Sequence, residues 1–176
     1  MNNKKIIERY ATLIYLDYTK KNKVVDVHDY PDYIADENGL GFSIPFIKRL
    51  FKKGLLIEGE QFAVSEAGEK FLAEGKDYLD FFAISSPYVS IIDFENYDGE
   101  GNFNEKMFKI FEDKLLEYRN KKNYVALESL NFELAELALK MGDEKRALFH
   151  CLINLSIAIS GIKQYLFISR FKKNKI

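Results

Sequence analysis

The sequence predicts a mostly α protein of the α+β type. An N-terminal helical module carries a small β-hairpin, and an antiparallel helical bundle follows. Three observations predict this. The stretch Ser43–Leu72 reads SIPFIKRLFKKGLLIEGEQFAVSEAGEKFL: a basic amphipathic helix, a glycine stop, a short hairpin and a serine-capped helix. From Asn104 onward, apolar residues recur at helical spacing in runs separated by short links containing Asn or Gly. The 176 residues, 47% of them hydrophobic, suit one domain or two small ones with a real core.

The first helix is expected from Asn3 to Lys20, with Ile6, Ile7, Tyr10, Leu13 and Ile14 inward and Lys4, Glu8, Arg9 and Lys20 outward. Val24 to Val27 reads as a short strand. His28-Asp29-Tyr30-Pro31-Asp32-Tyr33-Ile34 turns into a brief helix ending near Asn38-Gly39. Ser43 suits the cap of the next helix because its oxygen accepts from backbone N–H groups of the first turn. Pro45 is tolerated there because its missing N–H would have no helical partner. Phe46, Ile47, Leu50 and Phe51 form one face of this helix, and Lys48, Arg49, Lys52 and Lys53 form the other. Gly54 supplies a left-handed stop. Leu55–Ile57 and Gln61–Val64 read as strands joined at Gly59. Ser65 caps a helix over Glu66–Glu74 that turns Phe71 and Leu72 inward.

The order helix, Gly, strand, turn, strand, Ser-Glu-x-Gly resembles bacterial winged-helix regulators of the MarR and PadR type. The resemblance implies a winged-helix-like domain over residues 1–76. Its helix 43–53 would meet nucleic acid, with Ser43, Lys48, Arg49, Lys52 and Lys53 as candidate binding residues. Two features oppose that role. The wing tip is Glu58-Gly59-Glu60, and carboxylates there repel phosphate, whereas affinity comes from Lys and Arg neutralising it. The exposed helix face also offers one Arg and no Asn or Gln for reading base edges.

Residues 77–103 read as an acidic irregular connector. Between Lys76 and Glu105 the only cation is Lys76, against Asp77, Asp80, Asp93, Glu95, Asp98, Glu100 and Glu105. Ser85-Ser86-Pro87 interrupts an apolar run, Tyr88–Phe94 has strand-like composition, and Asp98–Asn102 is a loop. A calcium loop starting at Asp98 needs Gly at its sixth position and Glu at its twelfth; Phe103 and Lys109 stand there.

Residues 104–176 are expected to be an antiparallel helical domain. Met107, Ile110, Phe111, Leu115 and Tyr118 mark one helix, and Tyr124, Leu127, Leu130, Leu134, Leu137 and Ala138 the next. Ala147, Leu148, Cys151, Leu155 and Ala158 mark a third, ending near Gly161, with a short fourth over Ile162–Phe171. Met141-Gly142-Asp143-Glu144-Lys145-Arg146-Ala147-Leu148, preceded by Ala135 and Ala138, resembles the junction of a tetratricopeptide repeat, where small residues let helices pack closely. Lys122–Leu127 echoes it at a spacing far short of the repeat period of about 34 residues, which implies one repeat-like hairpin rather than a solenoid. Such modules bind proteins. Pro31, Tyr33, Leu50, Gly54, Leu55, Leu56, Gly142, Asp143, Ala147 and Leu148 together resemble hypothetical proteins of phages and prophages of low-GC Gram-positive bacteria. The SAP-type Leu-Lys helix pair that members often carry between the two parts is missing here.

Composition narrows the function. Net charge is −1, so the whole chain has no electrostatic bias toward nucleic acid or acidic membranes. The last fourteen residues nevertheless carry Lys163, Arg170, Lys172, Lys173 and Lys175 and no acid. Fifteen Phe and eleven Tyr without Trp point to packing, and Tyr10, Tyr15, Tyr18, Tyr30 and Tyr33 sit among Asp17, Asp26, Asp29 and Asp32, the wrong sign for stacking single strands. Cys151 is the single cysteine. No signal peptide is read, and the longest apolar run, Cys151–Ile162, is too short to span a bilayer, so the expectation is a soluble cytoplasmic protein without a membrane partner. His150 and Cys151 are adjacent on a helix and diverge by roughly 100°. Glu133 and Glu136 lack the histidine of a carboxylate metal site. Gly39-x-Gly41 and Gly99-x-Gly101 lack the third glycine of a nucleotide loop. No enzyme, cofactor or metal is expected. The expectation is a binding protein that engages a protein partner, or self-associates, through an apolar patch on Tyr124–Gly161; the alternative is a nucleic-acid-binding regulator using the basic face of helix 43–53.

Overall fold

A computed structural model describes residues 2–31, 44–84 and 86–173, with side chains up to Gly161 in the last helix. The order of elements is α1 (Asn3–Lys21), α2 (Ile44–Lys52), β1 (Leu56–Ile57), β2 (Ala63–Val64), α3 (Glu66–Glu74), α4 (Lys76–Ile84), α5 (Ile91–Asn96), α6 (Phe103–Asn120), α7 (Tyr124–Lys140) and α8 (Glu144–Lys173). The protein is mostly helical, with one small antiparallel sheet. The chain divides into two compact units, residues 1–85 with 91–96 and residues 86–90 with 97–176.

The first unit is built around α1. Asn2 caps it by accepting from the Lys4 N–H, and Ile6, Tyr10, Ala11, Leu13, Ile14, Tyr15 and Leu16 are buried. Seven consecutive buried residues from Tyr10 to Leu16 exceed one amphipathic stripe, because α3, β2, α4 and α5 all pack around this helix. The tyrosines are packing groups. Tyr15 meets the Tyr30 ring at 4.8 Å and the Phe46 ring at 5.3 Å. The Tyr30 hydroxyl pairs with Thr19 Oγ1 at 2.6 Å, and burial pushes its pKa up to about 12 although that bond lowers it.

The hairpin lies inside its expected bounds, Leu56 facing Val64 and Ile57 facing Ala63. Gly54 takes φ +69°, the left-handed stop. Ser65 caps α3: its Oγ accepts from the Gly68 N–H at 3.0 Å and donates to the Gly54 carbonyl.

Several expectations are corrected. Val24–Val27 is not a strand. Val24 contributes one ladder-like bond, its carbonyl accepting from the Phe62 N–H at 2.7 Å. The chain then closes into a 3₁₀ turn, Val27–Asp29, because the Asp29 carboxylate accepts from the N–H groups of Val25 and Asp26, which also lower its pKa. The helix expected toward Asn38-Gly39 falls on residues 32–43, outside the described residues. The connector is not irregular: α4 and α5 are helices of the first unit. Tyr78 and Phe81 sit three apart on α4 and both close on Phe94, at 5.4 and 5.0 Å, and Ile91 and Phe94, also three apart, are the buried residues of α5. Among the described residues the strand-like composition of Tyr88–Phe94 has no neighbouring strand to pair with, so side-chain packing decides the conformation.

In the second unit, α7 packs against both α6 and α8. The links are tight. Lys122 (φ 56°) and Gly142 (φ 77°) turn the chain back, and Asn123 and Asp143 accept from the N–H groups of Ala126 and Arg146. Phe108, Phe111, Leu130, Leu134 and Leu137 form the core, and Ala135, Ala138 and Ala147 keep α7 and α8 close. One further correction concerns α8, which runs unbroken from Glu144 to Lys173. Gly161 costs a helix about 1 kcal/mol relative to Ala, too little to stop one that has neither a proline nor a capping turn there.

Candidate functional site

Of the nucleic-acid candidates, Lys48, Arg49, Lys52 and Lys53 are all exposed at the outer side of α2 and the turn after it, and Ser43 lies outside the described residues. Phe46, Ile47 and Leu50 anchor the helix from the opposite side, so the amphipathic split holds. Arg49 lies over the Phe46 ring at 5.4 Å. Among the described residues none of the four makes an ion pair. Glu58 and Glu60 are exposed at the hairpin tip.

The second unit carries the larger feature. Leu116 on α6, Tyr124, Val125, Phe132 and Leu139 on α7, and Leu148, Phe149, Leu152, Leu155 and Ile159 on α8 are exposed, most of them by more than half. Soluble monomers rarely show contiguous apolar patches beyond a few hundred Å². Tyr124 was expected inside and is exposed. On α8 the expected face holds at Ala147, which is buried, and fails beyond it: Leu148, Cys151, Leu155 and Ala158 are exposed, while His150 is buried and Ile153, Asn154 and Ile157 half-buried. The inner stripe includes a histidine and an asparagine, so a reading by hydrophobicity alone selects the outer one.

The histidine of that stripe is paired with Asn131 of α7, whereas Asn154 Oδ1 is buried without a hydrogen-bond partner. His150 is 3% exposed, and its Nδ1 lies 2.9 Å from Asn131 Oδ1. Asn131 Nδ2 donates to the Leu127 carbonyl at 2.8 Å, which leaves its oxygen facing the imidazole and assigns the proton to Nδ1. The ring is edged by Phe108 at 5.5 Å and Phe149 at 5.3 Å, and Arg146 stacks on Phe108 at 4.5 Å. Burial lowers the His150 pKa; Glu112 opposes this and Arg146 reinforces it.

Beside this pair an open groove of about 550 Å³ runs between α6 and α8. Leu115, Leu116, Tyr124, Leu127, Phe149, Ile153 and Ile157 make it apolar, and Glu112 and Arg119, two turns apart on α6, put one charge of each sign along its wall. Its lining offers apolar surface, one hydrogen-bonded imidazole and two opposite charges. Cys151 is exposed while His150 is buried, so the two form no nucleophile–base pair. Burial raises the Glu133 pKa against the hydroxyls of Ser86 and Ser129, Glu136 is exposed, and the described residues hold no group of three or more potential metal ligands. Among them, no helix is long and apolar enough to cross a membrane.

No protein-family model matches this chain, and no curated protein or solved structure is significantly similar to it.

Proposed function

We propose that this chain is a non-enzymatic, cytoplasmic binding protein of phage or prophage type. Its first unit is winged-helix-like, and its second is an antiparallel, tetratricopeptide-like helical bundle that acts as an adaptor. The observation that carries the reading is the α6–α8 groove, apolar along its floor and rimmed by the exposed side chains of Leu116, Tyr124 and Phe149. An open groove between two helices, with a third beneath, accepts an amphipathic helix that lays its apolar face inward. Glu112 and Arg119 fix that partner's chemistry further: a basic residue toward one end of its helix and an acidic residue two turns away. Panning a phage-displayed library of helical peptides against the immobilised protein tests this. Enriched peptides should carry apolar residues at three- and four-residue spacing and lose binding to Tyr124→Glu/Phe149→Glu. Failure to enrich such peptides, or binding indifferent to that pair, overturns the reading.

A second reading, nucleic-acid binding by α2, is favoured by the exposure of Lys48, Arg49, Lys52 and Lys53 without ion-pair partners among the described residues. The bond from Phe62 to Val24 supports it, since it ties the hairpin to the segment after α1 as a third strand would. Fluorescence anisotropy with labelled duplex DNA is the check. Affinity should fall with salt at a log–log slope of about −0.9 per neutralised phosphate and disappear in Lys48→Glu/Lys52→Glu. Absence of binding at low salt removes this reading and leaves the groove untouched.

A further inference from the structure

The outer face of α8 is not needed for the groove, and its spacing is unusual. Leu148, Leu152, Leu155 and Ile159 follow one another at intervals of four, three and four residues. Ile162 and Leu166 occupy the next two positions of the same register. This is the a/d repeat of a coiled-coil seam, whose 3.5-residue period keeps one narrow stripe facing a partner helix. The four described members of the stripe are 43–61% exposed, while His150 and Ile157, half a turn round the helix, face inward. The seam therefore points directly away from the unit's own core. No Asp, Glu, Lys or Arg occurs from Ala147 to Ile162, so an exposed helix face of over four turns carries no charge. Solvated faces are not built that way.

We propose that this seam pairs with the same seam of a second copy of the chain, making a homodimer through α8. Two observations select a second copy. The interface of a two-fold dimer must be complementary to itself, and charged flanks would bring like charges together unless their signs were arranged in pairs. Here the flanking positions Phe149, Cys151, Ser156 and Ala158 are all uncharged, so the face meets itself without repulsion. Selection of a different partner by a coiled-coil seam is set by charges at those same flanks, and this helix has none there over its described side chains. Leu148, Leu152, Leu155 and Ile159, each 43–61% exposed, supply the apolar contact, and Phe149 stays with the groove.

Sedimentation equilibrium of the full chain tests the proposal, with wild type compared with Leu152→Glu/Leu155→Glu. Both positions are exposed, so the monomer fold should tolerate the change, and far-UV circular dichroism checks it. Wild type should weigh twice the 20.5 kDa chain at micromolar concentration, and the variant should weigh one chain. If that variant misfolds, Leu148→Lys/Ile159→Lys interrogates the same seam. A monomeric wild type overturns the proposal, as does a folded variant that remains dimeric. A wild type that is monomeric and floats with phosphatidylcholine vesicles overturns it in favour of a lipid surface. None of these outcomes touches the peptide-binding groove, whose test uses other residues.

Discussion

Gly68→Ala is expected to destabilise the first unit by about 2 kcal/mol, although alanine is the better helix former by about 1 kcal/mol. The first turn of α3 is fixed onto the end of α2. Ser65 N–H donates to the Leu55 carbonyl at 3.1 Å, and the Ser65 hydroxyl bridges Gly54 and Gly68. A Cβ at Gly68 would strike the Leu55 carbonyl oxygen and Val64 Cγ1. The carbonyl is backbone and already committed to Ser65, so relief requires moving the turn or the hairpin, and overpacking of this kind costs about 1–3 kcal/mol against the propensity gain. Gly161→Ala is the internal control. Nothing lies within 4 Å of the new Cβ, and the residue is inside α8, so the same substitution should stabilise by about 0.5–1 kcal/mol. Thermal denaturation of both variants decides. Equal signs for the two would show that propensity, not the close approach at Leu55, governs Gly68.

The glycine of the Ser-Glu-x-Gly motif is thus legible in the sequence as a pattern, while its reason lies in a contact with a residue thirteen positions earlier. The same division runs through the molecule. Local signals gave α2, the Gly54 stop, the hairpin and the Ser65 cap close to their observed places, because capping and turn chemistry act within a few residues. Helices α4 and α5 were missed because each is short and depends on Tyr78, Phe81 and Phe94 meeting across the Pro87 interruption. The inner face of α8 was misassigned for another reason. Its sequence holds two apolar stripes, one through Leu148, Leu152, Leu155 and Ile159 and one through Ala147, Ile153 and Ile157, and hydrophobicity ranks the outer one higher. Only the partner on α7 decides which turns inward: Asn131 offers His150 a hydrogen bond that no aliphatic side chain can use. Two apolar stripes on the charge-free stretch Ala147–Ile162 were the available signal that α8 has two faces to cover.

His150→Ala should be strongly damaging to the helical unit, costing about 3 kcal/mol and lowering its midpoint by roughly 12–24 °C. Two losses add. The imidazole fills the space between Phe108 and Phe149, and its removal leaves a void. It also leaves Asn131 Oδ1 buried without a donor, which costs about 1–3 kcal/mol by itself. The pH dependence separates this from simple loss of volume. The folded-state pKa of His150 lies below the ordinary 6.5, so the folded unit refuses a proton that the unfolded chain accepts. Its contribution is therefore complete above pH 6.5 and is lost as pH falls through the folded-state value, at a slope of at most about 1.4 kcal/mol per pH unit. Urea titrations of wild type at pH 7.5, 6.5 and 5.5 should show stability declining below pH 6.5. His150→Phe keeps most of the ring volume and cannot be protonated, so its profile should be flat across the same interval while its stability at pH 7.5 falls for want of the Asn131 bond. A wild-type profile as flat as that of His150→Phe would mean that the imidazole takes up its proton in place, and that the pairing with Asn131 does not hold it neutral.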